Sequence, residues 1–109
     1  MSTNDEIQIT PWTKAFPITQ EEAEAHLHRE GYTTFYWYDV PGASYPNHEH
    51  DRDECLWILK GELQITINNQ RYNLKAGDKI YLPAHIKHVA EVPKTGGATY
   101  LIGQKKNIS

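Results

Sequence analysis

The chain has 109 residues, 39% of them hydrophobic and 23% charged, which suits one globular domain and excludes a disordered or fibrous chain. A formal net charge of −3, with no long block of like charges, lacks the clustered basic face of a nucleic-acid-binding protein. Cys55 is the single cysteine, so no intrachain disulfide can form. No apolar run reaches the roughly 20 residues that span a bilayer. Residues 1–6 are polar and acidic and lack the basic and apolar regions of a signal peptide. A cytoplasmic protein that contacts neither membrane nor nucleic acid is the expectation.

In chain order, Ile7, Ile9 and Trp12 show strand-like alternation. This segment is expected to cover a sheet edge or an outer face in a homodimer. A helix is predicted over residues 20–30, with Thr19 as N-cap and Glu22 completing a capping box. Glu21, Glu22 and Glu24 favour the positive end of its dipole, and Gly31 supplies a left-handed stop. Its apolar stripe is only Ala23 and Leu27, so it should lie on the outside of the domain. Tyr32, Phe35, Tyr36, Trp37, Tyr38 and Tyr45 crowd the next stretch, too many aromatics for a solvated loop.

Strands follow over 33–40, 54–60 and 63–67, the last by alternation of Leu63, Ile65 and Ile67 with polar residues. Asn68 and Asn69 predict a hairpin turn into 71–74, and further strands are predicted over 79–82, 88–92 and 98–102. About seven short strands at this spacing indicate an all-β sandwich or barrel. A single domain over 1–109 is expected, with a strand and helix in 7–31 and a barrel core over about 33–103. Residues 1–8 and 104–109 read as mobile ends, with Lys105 and Lys106 as a solubilising tail.

His48, His50 and Glu54 are three metal-ligand types within seven residues. Side chains alternate faces along an extended chain, so His48 and His50 point the same way. Glu54 joins them if the intervening loop keeps its parity, and it opens an apolar strand. Two imidazoles and a carboxylate suit one divalent iron, manganese, nickel, cobalt, copper or zinc ion. Pro83 ends one strand and His88 opens the next, so a turn between them can bring His88 beside the first cluster.

At this point the chain resembles the cupins. Gly42, five residues, His48, one residue, His50, three residues, Glu54, six residues and Gly61 match the first cupin motif. Gly77, five residues, Pro83 and then His88 five further on match the second, with 15 residues between Gly61 and Gly77. The resemblance implies an antiparallel double-stranded β-helix, or jelly-roll barrel, with a metal held inside by His48, His50, Glu54 and His88. Such a quartet commonly leaves one or two coordination positions for water, substrate or dioxygen. One carboxylate against a divalent ion leaves a formal charge near +1, which favours an anionic or chelating oxygen ligand. The chain departs from the pattern at His85, where the motif usually has Gly and a turn conformation is needed. It departs again at Val92, where the motif usually has Asn.

Other residues carry competing readings. His85 is either a proton shuttle at the pocket mouth or a solvated turn residue, and turn chemistry favours the second. Tyr36 and Tyr38 are candidate catalytic side chains, although such aromatics more often belong to a core or a subunit interface. Trp37 must face opposite to them. Cys55, next to Glu54, points away from the metal as a small buried hydrophobe. Asp51, Arg52 and Asp53 read as a solvated loop, and His26 and His28 as surface residues.

The family includes dioxygenases, decarboxylases, isomerases and lyases, and the ligand set does not choose among them. An iron or manganese dioxygenase-like enzyme acting on a small oxygenated or anionic metabolite is the leading reading. An isomerase, lyase or decarboxylase of a small acid or sugar, or a cupin that only binds a small ligand, is the alternative.

Overall fold

The computed structural model describes residues 7–105. Among the described residues, nine strands and one helix follow in chain order. These are β1 (Gln8–Thr10), α1 (Gln20–Arg29), β2 (Tyr32–Asp39), β3 (Ser44–His48), β4 (Glu54–Lys60), β5 (Glu62–Ile67), β6 (Gln70–Lys75), β7 (Lys79–Leu82), β8 (His88–Glu91) and β9 (Ala98–Lys105). They form two antiparallel sheets, ordered β1-β7-β4-β9-β2 and β3-β8-β5-β6. The connections cross from sheet to sheet, so the two faces close over a common interior. This is the all-β barrel that the strand spacing predicts.

Alternation builds the core. Leu56 and Ile58 of β4, Ile80 and Leu82 of β7, and Tyr100 of β9 face inward and meet Leu63, Ile65, Ile67 and Leu74 from the other sheet. Each fully buried Leu or Ile contributes about 1.5–3 kcal/mol by removal from water. The opposite parity of the first sheet, Cys55, Trp57 and Leu101, packs under Ala23 and Leu27 of α1. The helix thus covers the outside of the barrel, as its narrow apolar stripe predicts. Thr19 is the N-cap as predicted, for Glu22 N–H donates to its Oγ1 at 3.1 Å. The Glu22 carboxylate accepts from the Thr19 hydroxyl at 2.9 Å rather than from the Thr19 backbone N–H, so the second half of the predicted capping box is replaced by a side-chain bond.

The turn after β5 has Asn68 at φ 50° and Asn69 at φ 66°, so both central residues are left-handed and join Ile67 directly to Gln70. That is the twist a two-residue hairpin needs. Gly61 joins β4 to β5 at φ 78°, where any Cβ would come within 2.0 Å of the Gly97 carbonyl oxygen.

Several expectations change. β3 is a strand that its polar sequence and Pro46 conceal. Pro46 is tolerated because β3 is an edge strand, and because the register shifts between Tyr45 and His48. β9 runs on to Lys105, so Gln104 and Lys105 are strand residues rather than a mobile tail. Lys105 Nζ donates to the Glu30 carbonyl and lies 4.6 Å over the Tyr32 ring. Gln8 likewise belongs to β1, which pairs with β7 and covers that edge within the same chain. Ile7, also expected to be mobile, packs partly buried against the core, and the rest, 1–6 and 106–109 with Lys106, lie outside the described residues. Among the described residues, no helix is long and apolar enough to cross a membrane.

Candidate metal centre

Three histidines converge at one end of the barrel. His48 closes β3 and His88 opens β8, and the two are cross-strand partners. Between Tyr45 and His48, β3 has three steps against two in β8, so the bulge carries one extra residue. Both Tyr45 and His48 therefore face the interior, which strict alternation would forbid. His50 lies in the loop beyond β3.

The loop is fastened to the segment leading into β8. His85 N–H donates to the His50 carbonyl at 2.8 Å, and Ala84 N–H donates to Asp53 Oδ1 at 2.9 Å. Asp53 also accepts from the Tyr81 hydroxyl at 3.0 Å. It is a structural staple rather than the solvated residue predicted. His85 stands at φ 68°, the left-handed conformation for which the motif usually uses Gly. Its ring is exposed and lies 3.1 Å from Glu49 Oε2.

One ligand atom from each of His48, His50 and His88 lies within 4.8 Å of the others. Nδ1–H of His48 donates to the Pro46 carbonyl at 2.7 Å, and Nδ1–H of His88 donates to the Ile86 carbonyl at 3.0 Å. A carbonyl can only accept, so in the neutral form of each ring the proton sits on Nδ1 and the lone pair of Nε2 is the one offered to a metal. His88 is 3% exposed. Burial lowers its pKa, neighbouring His48 and His50 lower it further, and the bond to Ile86 opposes them. The neutral form that binds metal is thus favoured.

Glu54 is 4% exposed and shares the inward parity of Leu56 and Ile58. Its Oε1 lies 3.4 Å from His50 Nε2. Its Oε2 accepts from Gln104 Nε2 at 2.8 Å. Gln104 is the cross-strand partner of Glu54 in β9. The carboxylate lies beside the imidazoles, outside the tight group of three, and is oriented by an amide. Imidazole nitrogens with fixed tautomers and an adjacent oriented carboxylate form a donor set that fits a borderline divalent ion.

The centre opens on a cavity of about 250 Å3 whose walls include Trp37, Tyr45, Leu56, Ala90, Tyr100 and Ile102. Behind the wall, Asp39 is 4% exposed. Its Oδ1 accepts from Trp37 Nε1 at 2.8 Å and from the Tyr45 hydroxyl, and its Oδ2 accepts from the Tyr100 hydroxyl at 2.6 Å. This carboxylate ties β2 and β9 of one sheet to β3 of the other. The Tyr45 pKa is raised first by its bond to Asp39 and then by burial. That of Tyr100 is raised first by burial and then by Asp39. Both phenols stay protonated.

The predicted catalytic candidates stand elsewhere. Tyr36 and Tyr38 pair with Leu101 and Thr99, the outward parity of β9, and are 55% and 56% exposed. Trp37 is the member of that aromatic run that lines the cavity, and His85 is at the surface. Sequence reasoning missed Gln104, Asp39 and Tyr100. The continued alternation of Tyr100, Ile102 and Gln104 was the available signal for the first. Cys55 is buried as predicted, and burial pushes its thiol up to about 12. His26 is not a plain surface residue, for its ring stands edge-on to Trp57 at 5.4 Å.

A barrel of two antiparallel sheets with histidines converging at one end defines the class. The family model described as "Cupin domain" matches residues 35–102, and the chain belongs to the cupin family. No curated protein matched. Among solved structures, a cupin protein from Bacteroides fragilis is 27% identical, with a TM-score of 0.63 over 72% of this chain and 69% of its own. A Cupin 2 conserved barrel domain protein from Salinispora arenicola is 20% identical, with a TM-score of 0.63 over 92% and 74%. The polyketide cyclase RemF from Streptomyces resistomycificus is 15% identical, with a TM-score of 0.62 over 69% and 55%. The last two likenesses are of fold.

Proposed function

We propose that this cupin is a mononuclear metal-dependent enzyme acting on a small oxygenated or anionic molecule, with His48, His50, His88 and Glu54 as ligands. The observation that carries this reading is the group of three histidine nitrogens, two with tautomers fixed by backbone carbonyls, facing a cavity of about 250 Å3. A divalent iron, manganese, nickel, cobalt, copper or zinc ion held there supplies Lewis-acid polarisation, or activates water or dioxygen. The chain's own residues do the rest. Gln104 orients Glu54, and Leu56, Ala90 and Ile102 make the wall apolar and exclude water from the body of a bound molecule. Tyr45 donates a hydrogen bond to Asp39 and accepts only a long one, 3.4 Å, from Trp37 Nε1, so its oxygen has capacity to accept from a ligand hydroxyl.

A dioxygenase-like reaction is the leading chemistry. A non-redox isomerase, lyase or decarboxylase reaction is the second reading, favoured by the fixed phenols of Tyr45 and Tyr100 beside the centre. Metal analysis of protein purified without added metal, followed by oxygen-uptake and turnover screens on small acids, diketones and sugars, tests both. Bound iron with oxygen uptake supports the first. Zinc with anaerobic turnover supports the second, and full metal occupancy without any turnover refutes an enzyme and leaves a small-ligand-binding cupin.

The same reading includes a homodimer. The edges of the first sheet are the three-residue β1 and the eight-residue β2, and β2, the longer, carries exposed Phe35, Tyr36, Trp37 and Tyr38 without proline or lysine to block pairing. Sedimentation at micromolar concentration should give a dimer, and a clean monomer would refute it.

A further inference from the structure

A second cavity, of about 490 Å3, lies on the other side of the first sheet, outside the barrel. Its walls come from the segment after β1, from one face of α1, and from the outward residues of β4 and β7. Glu22, Ala25, His26 and Arg29 are spaced i, i+3, i+4 and i+7, so they form the helical face turned to it. Trp12 and Trp57 supply flat apolar walls.

The charges in this cleft are unbalanced. Lys14, Arg29 and Lys79 line it, each from a different element, against one carboxylate, that of Glu22. Glu22 is held back by its bond with Thr19 at the helix N-terminus. Among the described residues, none of the three cations has a carboxylate oxygen within 4.0 Å. Lys79 is half-buried, with Nζ 4.6 Å over the Trp57 ring and 3.4 Å from His26 Nε2. Lys14 Nζ lies 5.7 Å from the Trp12 ring. Glu30 reaches His26 at 3.5 Å, but it is not part of the cleft wall. The chain as a whole is acidic, with a net charge of −3, so this local excess of positive charge is not set by composition.

An ammonium partly removed from water without a counter-charge is unfavourable, and an anion entering the cleft would relieve it. We infer that this cleft binds a small organic anion: a carboxylate or phosphate ester on a flat apolar body, its charge among Lys14, Arg29 and Lys79 and its body between the indoles. The site is independent of the metal centre, because β4 and β7 present opposite faces to the two cavities.

The three tryptophans report on both cavities. Trp12 and Trp57 wall the cleft, and Trp37 walls the metal pocket. Their indole N–H groups donate to the Phe16 carbonyl, the Gly77 carbonyl and Asp39, so each occupies its own environment. In 15N-labelled full-length protein, benzoate and phenyl phosphate titrations should move the Trp12 and Trp57 indole signals saturably and together, with a binding constant separate from that of any shift of Trp37, which reports anions reaching the metal pocket. The stronger of the two identifies carboxylate or phosphate as the favoured head group. Benzyl alcohol, which keeps the ring but lacks the charge, should bind at least tenfold more weakly. Lys79→Met should weaken anion binding at least tenfold. Arg29→Gln, an exposed helix substitution that folding tolerates, should weaken it severalfold. The proposal is overturned by the absence of saturable shifts up to about 10 mM of either anion, by shifts confined to Trp37, by equal affinity for benzyl alcohol, or by unchanged affinity in Arg29→Gln.

Discussion

Replacing Asp39 tests whether one buried carboxylate holds the two sheets together beside the metal pocket. In Asp39→Asn, the amide oxygen can keep the Oδ1 bonds to Trp37 and Tyr45, and the Tyr100 hydroxyl can rotate to accept from the new NH2 group. The loss is then charge assistance on three bonds, partly offset because a neutral amide is easier to bury, and amounts to about 1–2 kcal/mol. Asp39→Ala removes all three bonds and leaves the Tyr100 hydroxyl in a buried site without a partner, which costs about 3–5 kcal/mol. At roughly 5 °C per kcal/mol for a domain of this size, Tm should fall by about 5–10 °C in the first variant and about 15–25 °C in the second. Circular dichroism melts in metal-free buffer measure this. Alkaline absorbance titration gives a second readout. Tyr45 should return toward an ordinary phenol pKa in Asp39→Ala, because its hydrogen bond to Asp39 is the leading cause, and should stay raised in Asp39→Asn, where the amide oxygen keeps that bond, while burial should keep Tyr100 high in both. Equal melting of the two variants, or an unchanged Tyr45 titration in Asp39→Ala, would refute the clasp.

Three further outcomes follow from the site. His88→Ala should abolish stoichiometric cobalt binding in calorimetry, whereas Gln104→Leu should keep the stoichiometry and lose about 10- to 100-fold in affinity, because it frees Glu54 to rotate. Unchanged affinity in Gln104→Leu would remove the amide from the site. Metal-stripped protein should lose stability as pH falls. The folded His88 pKa lies below its ordinary value of 6.5, so the unfolded chain takes up a proton first, and the loss runs from about that pH down through the folded pKa. Urea midpoints that are flat between pH 7 and 5 in the wild type but not in His88→Gln would contradict it. At position 85, with φ 68°, Gly should be more stable than Ala by about 1–2 kcal/mol, and equal urea midpoints would show that the backbone there relaxes.

The histidines were legible because local spacing places them: His48 and His50 two apart, and His88 five after the proline that ends β7. The β3 bulge was not legible, since Pro46 and polar neighbours hide a strand whose register is set by β8. Partners joined across the barrel were also hidden. Gln104 meets Glu54 from 50 residues away, and Tyr100 meets Asp39 from 61, and no local pattern encodes either pairing. In β2 the alternation was read correctly, but parity alone does not say which face is inside. That is decided by pairing with β9, which turns Trp37 and Asp39 toward Tyr100 and Ala98 and leaves Tyr36 and Tyr38 outward. His85 shows the reverse case, a motif departure whose left-handed backbone was foreseeable from the glycine it replaces.

β4 has a consequence for which changes of length the chain can survive. Glu54, Leu56 and Ile58 point into the barrel, while Cys55 and Trp57 point out beneath the helix, and Trp57 also walls the outer cleft. One residue inserted or deleted between Glu54 and Trp57 would exchange these sets, sending an indole into the pocket and a carboxylate under α1. Both cavities would be lost in one event. Substitutions can therefore adjust either pocket separately, one parity at a time, but insertions and deletions in these few residues act on both together. The strand is frame-locked.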